Sequence, residues 1–220
     1  MLNHDQHDDF DPDSNYYDNV ISENYTFSTF DSFNEFSTNN PVSLNDDQYI
    51  SIVSQNIRSL NANLENFLLL FDENNMPDVF VFSETWKDLH DPIIIPGYAG
   101  YHTVRHGRSG GVSVFVKSHI NSEIIDDLSF ANNSIEICAV KITNGSHSLF
   151  VFGIYRPFSD VIDAFTQSLD TILSDRRLLN QKCLFLGDFN ANILNYGMLG
   201  EIDRLVDMMQ SHHYIQVISD

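Results

Sequence analysis

Positive charge is scarce in this chain. Its 220 residues hold 11 Lys and Arg against 31 Asp and Glu, a formal net charge of −20. Affinity for duplex nucleic acid grows with the phosphates that Lys and Arg neutralise, so a strongly basic, charge-driven nucleic-acid binder is excluded. Cysteine is nearly absent. Cys138 and Cys183 are the only two, each inside an apolar run. That excludes a disulfide framework or a cysteine cage and fits small buried residues in a reducing compartment. No apolar run approaches the roughly 18–20 residues of a membrane span, and the start lacks the basic residues and apolar stretch of a secretory signal. An intracellular protein, cytoplasmic or nuclear, with no membrane partner is therefore expected. The nine histidines show no metal-ligand spacing, and His212-His213 reads as surface.

What charge there is sits unevenly. Residues 1–48 hold nine Asp and two Glu but no Lys or Arg. Of the total −20, they carry −11 and leave −9 to the rest. Their Asp, Asn and Ser background, with Phe27, Phe30, Phe33 and Phe36 scattered through it, predicts an acidic disordered tail rather than a packed unit. From about Gln48 the pattern changes to alternating apolar runs and amphipathic stretches. Gln48–Gln55 reads as a strand. Leu60–Phe71 carries Leu64, Phe67, Leu68 and Phe71 at helical spacing, and Asp78–Ser83 reads as the next strand. Residues 92–154 lose the helical period. Gly97-Tyr98, Gly107–Gly111 and Asn144-Gly145 mark turns in a meander of antiparallel strands. Phe158–Leu173 and Leu199–Met209 read as helices, Lys182–Asp188 as a strand, and Tyr214–Ile218 as the start of a last strand. The class is α/β (α+β), with strands enough for two packed sheets flanked by helices.

Several of these strands end on a polar side chain. Cys183-Leu184-Phe185-Leu186 runs into Gly187-Asp188-Phe189-Asn190, and residues two apart in an extended segment share one side. Asp188 and Asn190 can therefore converge on one ligand. Val79–Ser83 ends at Glu84, and Ile50–Gln55 ends at Asn56. A hard divalent cation needs only one or two carboxylates, and a carboxylate can also orient a water. Tyr155-Arg156-Pro157 follows another apolar strand and offers a phenol and a guanidinium to an anion. Arg105, His106 and Arg108 before Ser109-Gly110-Gly111, with Lys117 beyond, suit a phosphate-facing loop. Taken singly, each reads equally as a solvated loop residue or an ordinary turn residue. Their order and joint placement carry the weight.

That ordered set resembles the endonuclease/exonuclease/phosphatase superfamily. The residues concerned are Gln55-Asn56, Ser83-Glu84-Thr85-Trp86, Gly110-Gly111-Val112, Tyr155-Arg156-Pro157 and Gly187-Asp188-Phe189-Asn190. The Ser-Glu-Thr-Trp form and Ile154–Pro157 resemble the apurinic/apyrimidinic-type endonuclease domain of non-LTR retrotransposons. The resemblance implies a four-layered α/β sandwich of two mixed sheets flanked by helices, over residues 49–220. It implies phosphodiester hydrolysis with Mg²⁺ or Mn²⁺, on DNA. By motif, Glu84 would ligate the metal, and Asn56 would help hold metal or phosphate. Tyr155 would bond the phosphate, Asp188 would orient the attacking water, Asn190 would bind phosphate oxygens, and Arg156 would add phosphate binding.

The family motif set closes with Ser-Asp-His on a last strand. Here Ser219-Asp220 comes too soon and carries no His, while His212 and His213 precede that strand. A domain incomplete at its C-terminus is therefore expected, with the last strands missing and nicking weak or absent. Two other readings stay open: a catalytically dead fragment acting at most as a binding module, and a phosphatase or phospholipase of the same superfamily.

Overall fold

The computed structural model describes residues 50–214, apart from 73, 88–92, 106–108, 146, 159–161, 193–195 and 199. The expected acidic tail and the expected strand at Tyr214–Ile218 lie outside the described residues, save Tyr214 itself. One mixed sheet contains β1 (Ile52–Asn56), β2 (Val79–Ser83), β3 (Tyr98–Thr103) and β4 (Val112–Lys117), in the order β1-β2-β4-β3. Within it β1 and β2 are parallel and the other pairs antiparallel. The second sheet contains β5 (Asn121–Ile124), β6 (Phe130–Ala131), β7 (Glu136–Asn144), β8 (His147–Tyr155) and β9 (Lys182–Asp188). Its order is β5-β7-β8-β9, with β6 also on β7, and β8 and β9 are parallel. Three α-helices, α1 (Leu60–Leu68), α2 (Ile162–Leu173) and α3 (Gly200–Ser211), and two short 3-10 turns, Asp126–Leu128 and Arg176–Leu178, complete the described elements.

The period-two pattern of each strand sorts its side chains between two layers. Val79, Val81, Val112, Val114 and Val116 face Cys138, Val140, Leu149 and Val151 in the core between the sheets. The alternate residues Phe80, Phe82 and Phe115 pack outward on Leu60, Leu64 and Phe67 of α1. On the other side Ile137, Phe152 and Ile154 pack on Phe165, Leu169 and Ile172 of α2 and on Ile202 and Leu205 of α3. The result is the expected sandwich: helix, sheet, sheet, helix. The meander anticipated over 92–154 is split, however. Its first two strands join one sheet and the rest join the other, because the inner faces of both must close on a single core.

Two glycines make the close approaches possible. A Cβ on Gly153 would come within 2.7 Å of Val112 Cγ1 and 3.1 Å of Val81 Cγ1, so this strand meets the opposite sheet where only hydrogen fits. Gly153→Val is expected to cost about 1–3 kcal/mol by overpacking, checked by chemical denaturation. Gly187 is the second, in the left-handed half of backbone space with φ +134°.

The polar end of β4 is closed off. Lys117 Nζ lies 2.9 Å from Asp78 Oδ1, and Asp78 Oδ2 accepts from the Ser51 amide and hydroxyl. Burial pushes the Asp78 carboxyl up, but the Ser51 bonds and Lys117 bring it below its usual value. Val116 pairs with Val79, so Lys117 sits at the start of β2, the end opposite Glu84. Its expected place in a phosphate-facing loop is thereby corrected. His106 and Arg108 of that loop lie outside the described residues.

Candidate active site

The C-terminal ends of β1, β2, β8 and β9 meet at one rim, where the two sheets face each other. Parallel pairing sets this up. Asn56 is opposite Ser83 in the β1–β2 ladder, and Tyr155 is opposite Asp188 in the β8–β9 ladder. Across the gap, Asn56 Nδ2 donates to Glu84 Oε1 and to Asp188 Oδ2, each at 2.8 Å. One carboxamide from the first sheet thus bridges two carboxylates, one from each sheet. The hydroxyl of Tyr155 hydrogen-bonds Glu84. Burial first, then the Glu84 and Asp188 charges, raise the Tyr155 pKa well above its usual value. The phenol therefore keeps its proton and remains a donor at neutral pH.

Asp188 is held on both oxygens, since Oδ1 accepts the Asn190 amide at 2.9 Å. Asn190 has φ +45° and turns one side-chain N–H back to the Arg156 carbonyl at 2.6 Å. A carboxamide nitrogen carries two donors, so one further donor is available to a ligand. The Arg156 guanidinium is turned inward, with Nε donating to Phe189 O at 2.7 Å and a terminal nitrogen donating to Asn190 O. Arg156 ties down the backbone that carries Asn190.

Glu84 projects from a loop of unusual backbone. Arg58, Ser59, Glu84 and Trp86 all have positive φ, between +45° and +85°, which is strained for residues other than glycine. The loop is held from two directions. The Ser59 and Leu60 amides donate to the carbonyls of Glu84 and Thr85, while the Thr85 and Trp86 amides donate to the carbonyls of Gly111 and Gly110. Three buried side-chain oxygens in the described residues lack a hydrogen-bond partner: Asn56 Oδ1, Ser83 Oγ and Thr85 Oγ1. Ser83 and Thr85 flank Glu84 in the chain, and the Thr85 hydroxyl is turned toward Gly111. Asn56 alone of the three touches both rim carboxylates, and because buried polar atoms are normally satisfied, its oxygen is the atom there that a ligand or ion would complete.

The donors present are oxygens of two carboxylates and a carboxamide, which suits a hard cation that retains waters. Among the described residues no group of three His, Cys, Asp or Glu could hold a metal ion. The orphaned oxygen of Asn56, a residue whose nitrogen bonds both carboxylates, is the observation that fits a hard cation.

One residue of the rim escaped the sequence reading. Glu136 opens β7, is fully buried, and lies opposite Tyr155 in the β7–β8 ladder. It accepts the Gly111 amide and faces Arg105 at 3.4 Å. Burial raises its pKa against the opposing pull of Gly111 and Arg105. The available signal was an acid in an otherwise apolar run, Ile135–Val140. Gly110-Gly111, read as a phosphate-facing turn, is in fact moulded on this carboxylate. A Cβ on Gly110 would lie 2.5 Å from Glu136 Oε1.

Among solved structures, the chain is similar to the endonuclease domain of TRAS1, a telomere-specific non-LTR retrotransposon. The TM-score is 0.54 at 15% identity, covering 73% of this chain and 69% of that one. It is equally similar to the AP endonuclease LMAP from Leishmania major, with a TM-score of 0.54 at 13% identity, covering 73% of this chain and 66% of that one. The chain thus spans about two thirds of the length of these structures, and at such identities the likeness concerns the fold. No curated protein matches the sequence. Residues 44–198 match the Endonuclease/Exonuclease/phosphatase family, and with most of its length so matched the chain belongs to that family.

Proposed function

We propose that residues 49–220 form a metal-dependent phosphodiesterase domain that nicks DNA, an endonuclease of retrotransposon origin. The observation that carries this reading is the Asn56 bridge. It brings Glu84 and Asp188 from two sheets to within one carboxamide of each other, as hydrolysis of a phosphodiester by a positioned water requires. The two structures similar in fold are both endonucleases by name, which supports DNA over a lipid or a phosphomonoester as substrate.

The residues divide the work by their chemistry. Glu84, with the orphaned oxygen of Asn56, would hold Mg²⁺ (or Mn²⁺), which when bound would supply charge neutralisation at the phosphate. Asp188, fixed by Asn56 on one oxygen and by the Asn190 amide on the other, orients the attacking water and takes up its proton. Tyr155 stays protonated, and its single O–H, bonded to Glu84 here, would turn to a phosphate oxygen as charge grows there. Asn190 offers its second N–H to the phosphate. Arg156 serves phosphate binding through the Asn190 turn that it fixes. No Ser-Asp-His occurs in residues 1–220, so the nicking rate of this chain by itself is expected to be low.

The test uses the full chain with supercoiled plasmid, a short-chain phosphatidylinositol phosphate and a 3′-phosphorylated oligonucleotide. Slow nicking of the plasmid with Mg²⁺, stopped by EDTA, is the expected result. Preferred release of phosphate from either other substrate would replace the endonuclease reading by a phosphatase one. No turnover and no Mn²⁺ binding by calorimetry would leave the dead binding module.

A further inference from the structure

We propose that Glu136 is a positioning residue. Its buried carboxylate seats the Gly110-Gly111 turn, and through that turn it fixes the backbone from which Glu84 projects. The consequence for the metal rests on the function proposed above, but the mechanical link does not.

The chain of contacts is continuous. Glu136 has no exposed surface, and its Oε2 accepts the Gly111 amide. Gly110 and Gly111 have φ +85° and +90°, a conformation that L side chains rarely adopt. The turn pays no steric penalty there, and both missing side chains leave room for something specific. At Gly110 the space holds the Glu136 carboxylate, and at Gly111 it holds the Thr85 hydroxyl. The carbonyls of the same two glycines then accept from Trp86 at 2.9 Å and from Thr85 at 3.2 Å. Those amides flank Glu84 on its C-terminal side, where its own φ of +51° is strained. A strained loop keeps its shape only if its surroundings over-determine it. Here the Ser59 and Leu60 amides fix one side, and the turn seated on Glu136 fixes the other. On its second flank Glu136 stands opposite Tyr155 in the ladder, so one buried acid adjoins the carriers of both the proposed metal ligand and the proposed phosphate donor. Arg105, partly exposed at 3.4 Å, supplies the counter-charge that a buried carboxylate needs.

An uncharged residue of the same shape preserves this function, whereas a shorter one does not. Glutamine keeps an oxygen for the Gly111 amide. Aspartate keeps the charge but withdraws the acceptor by one methylene, and alanine removes it and leaves a buried N–H unpaired.

The chain carries its own reporter, because Trp86 is its single tryptophan. The experiment compares the parent with Glu136→Gln, Glu136→Asp and Glu136→Ala in the full chain. It reads amide hydrogen exchange at Thr85 and Trp86, Trp86 emission, and Mn²⁺ affinity by calorimetry. Expected for Asp and Ala are exchange at Thr85 and Trp86 about 10-fold or more faster and a red shift of Trp86 emission. Mn²⁺ affinity should fall by a similar factor, while Gln stays near the parent in all three. The aspartate variant answers the question should alanine fail to fold. Unchanged exchange at Thr85 and Trp86 in the folded aspartate variant would overturn the proposal. So would a rise spread evenly over β2 and β4 with a lowered thermal midpoint, the mark of general destabilisation. A parent that binds no Mn²⁺ removes the metal reading instead, and the exchange and emission measurements still decide the role of Glu136.

Discussion

Replacing Asp188 by alanine is expected to slow plasmid nicking by about 100–1,000-fold, the size of effect seen when one preorganised group of a charged site is lost. Stability should move the other way or not at all. Glu84 and Asp188 both accept from the Asn56 side-chain nitrogen, one N–H each, and two carboxylates held that close repel each other. Removing either relieves that repulsion while leaving Asn56 one acceptor. Asp188→Ala also frees the Asn190 amide, so the Asn190 turn should loosen, and the partner substitution Glu84→Ala should not do this. Loss of activity with a thermal midpoint kept or raised is the signature of a group maintained for function. Steady nicking by both alanine variants would overturn the site assignment. A midpoint lowered by more than about 5 °C, near 2 kcal/mol for a chain of this size, would recast the pair as a structural clasp.

The largest structural effect is expected at Gly187. Its φ of +134° is one that a side chain adopts only under strain, and a Cβ there would run into the carbonyl of Ile154 on the neighbouring parallel strand. That carbonyl is backbone and cannot move without opening the β8–β9 ladder, which carries Tyr155 and Asp188 as its last pair. Gly187→Ala should therefore cost about 3–5 kcal/mol, strain and overlap together, and lower the thermal midpoint by about 10 °C. Gly145 is the control. It too has positive φ, but nothing lies within 4 Å of its absent Cβ, so Gly145→Ala should cost only about 1–2 kcal/mol. Equal midpoints for the two variants would mean that the strand simply shifts to accept the methyl group.

Much of the rim was legible from strand ends. An apolar run that stops at a polar residue announces where a buried strand reaches solvent, and Asn56, Glu84, Tyr155 and Asp188 were each found in this way. Lys182–Asp188 appears with the bounds that its pattern suggests, because period and punctuation agree there. The helix expected over Leu60–Phe71 stops at Leu68, since Leu69 and Leu70 point to solvent and no longer share the face that Leu64 and Phe67 bury.

Other assignments could not be made from neighbours in the chain. Lys117 pairs with Asp78 and so belongs to the far end of the sheet. The Arg156 guanidinium is turned to carbonyls more than thirty residues away. Glu136 looked like an interruption in a strand until Gly111, twenty-five residues earlier, was found folded against it. The sequence by itself determined which segments are strands and helices, which face of each is apolar, and which polar residues stand at strand ends. These follow from local periodicity and backbone preference. The tertiary structure alone decided how the meander divides between two sheets and which carboxylates share Asn56. It also decided that the double glycine serves a buried acid, because pairing partners and desolvation are set by residues remote in sequence.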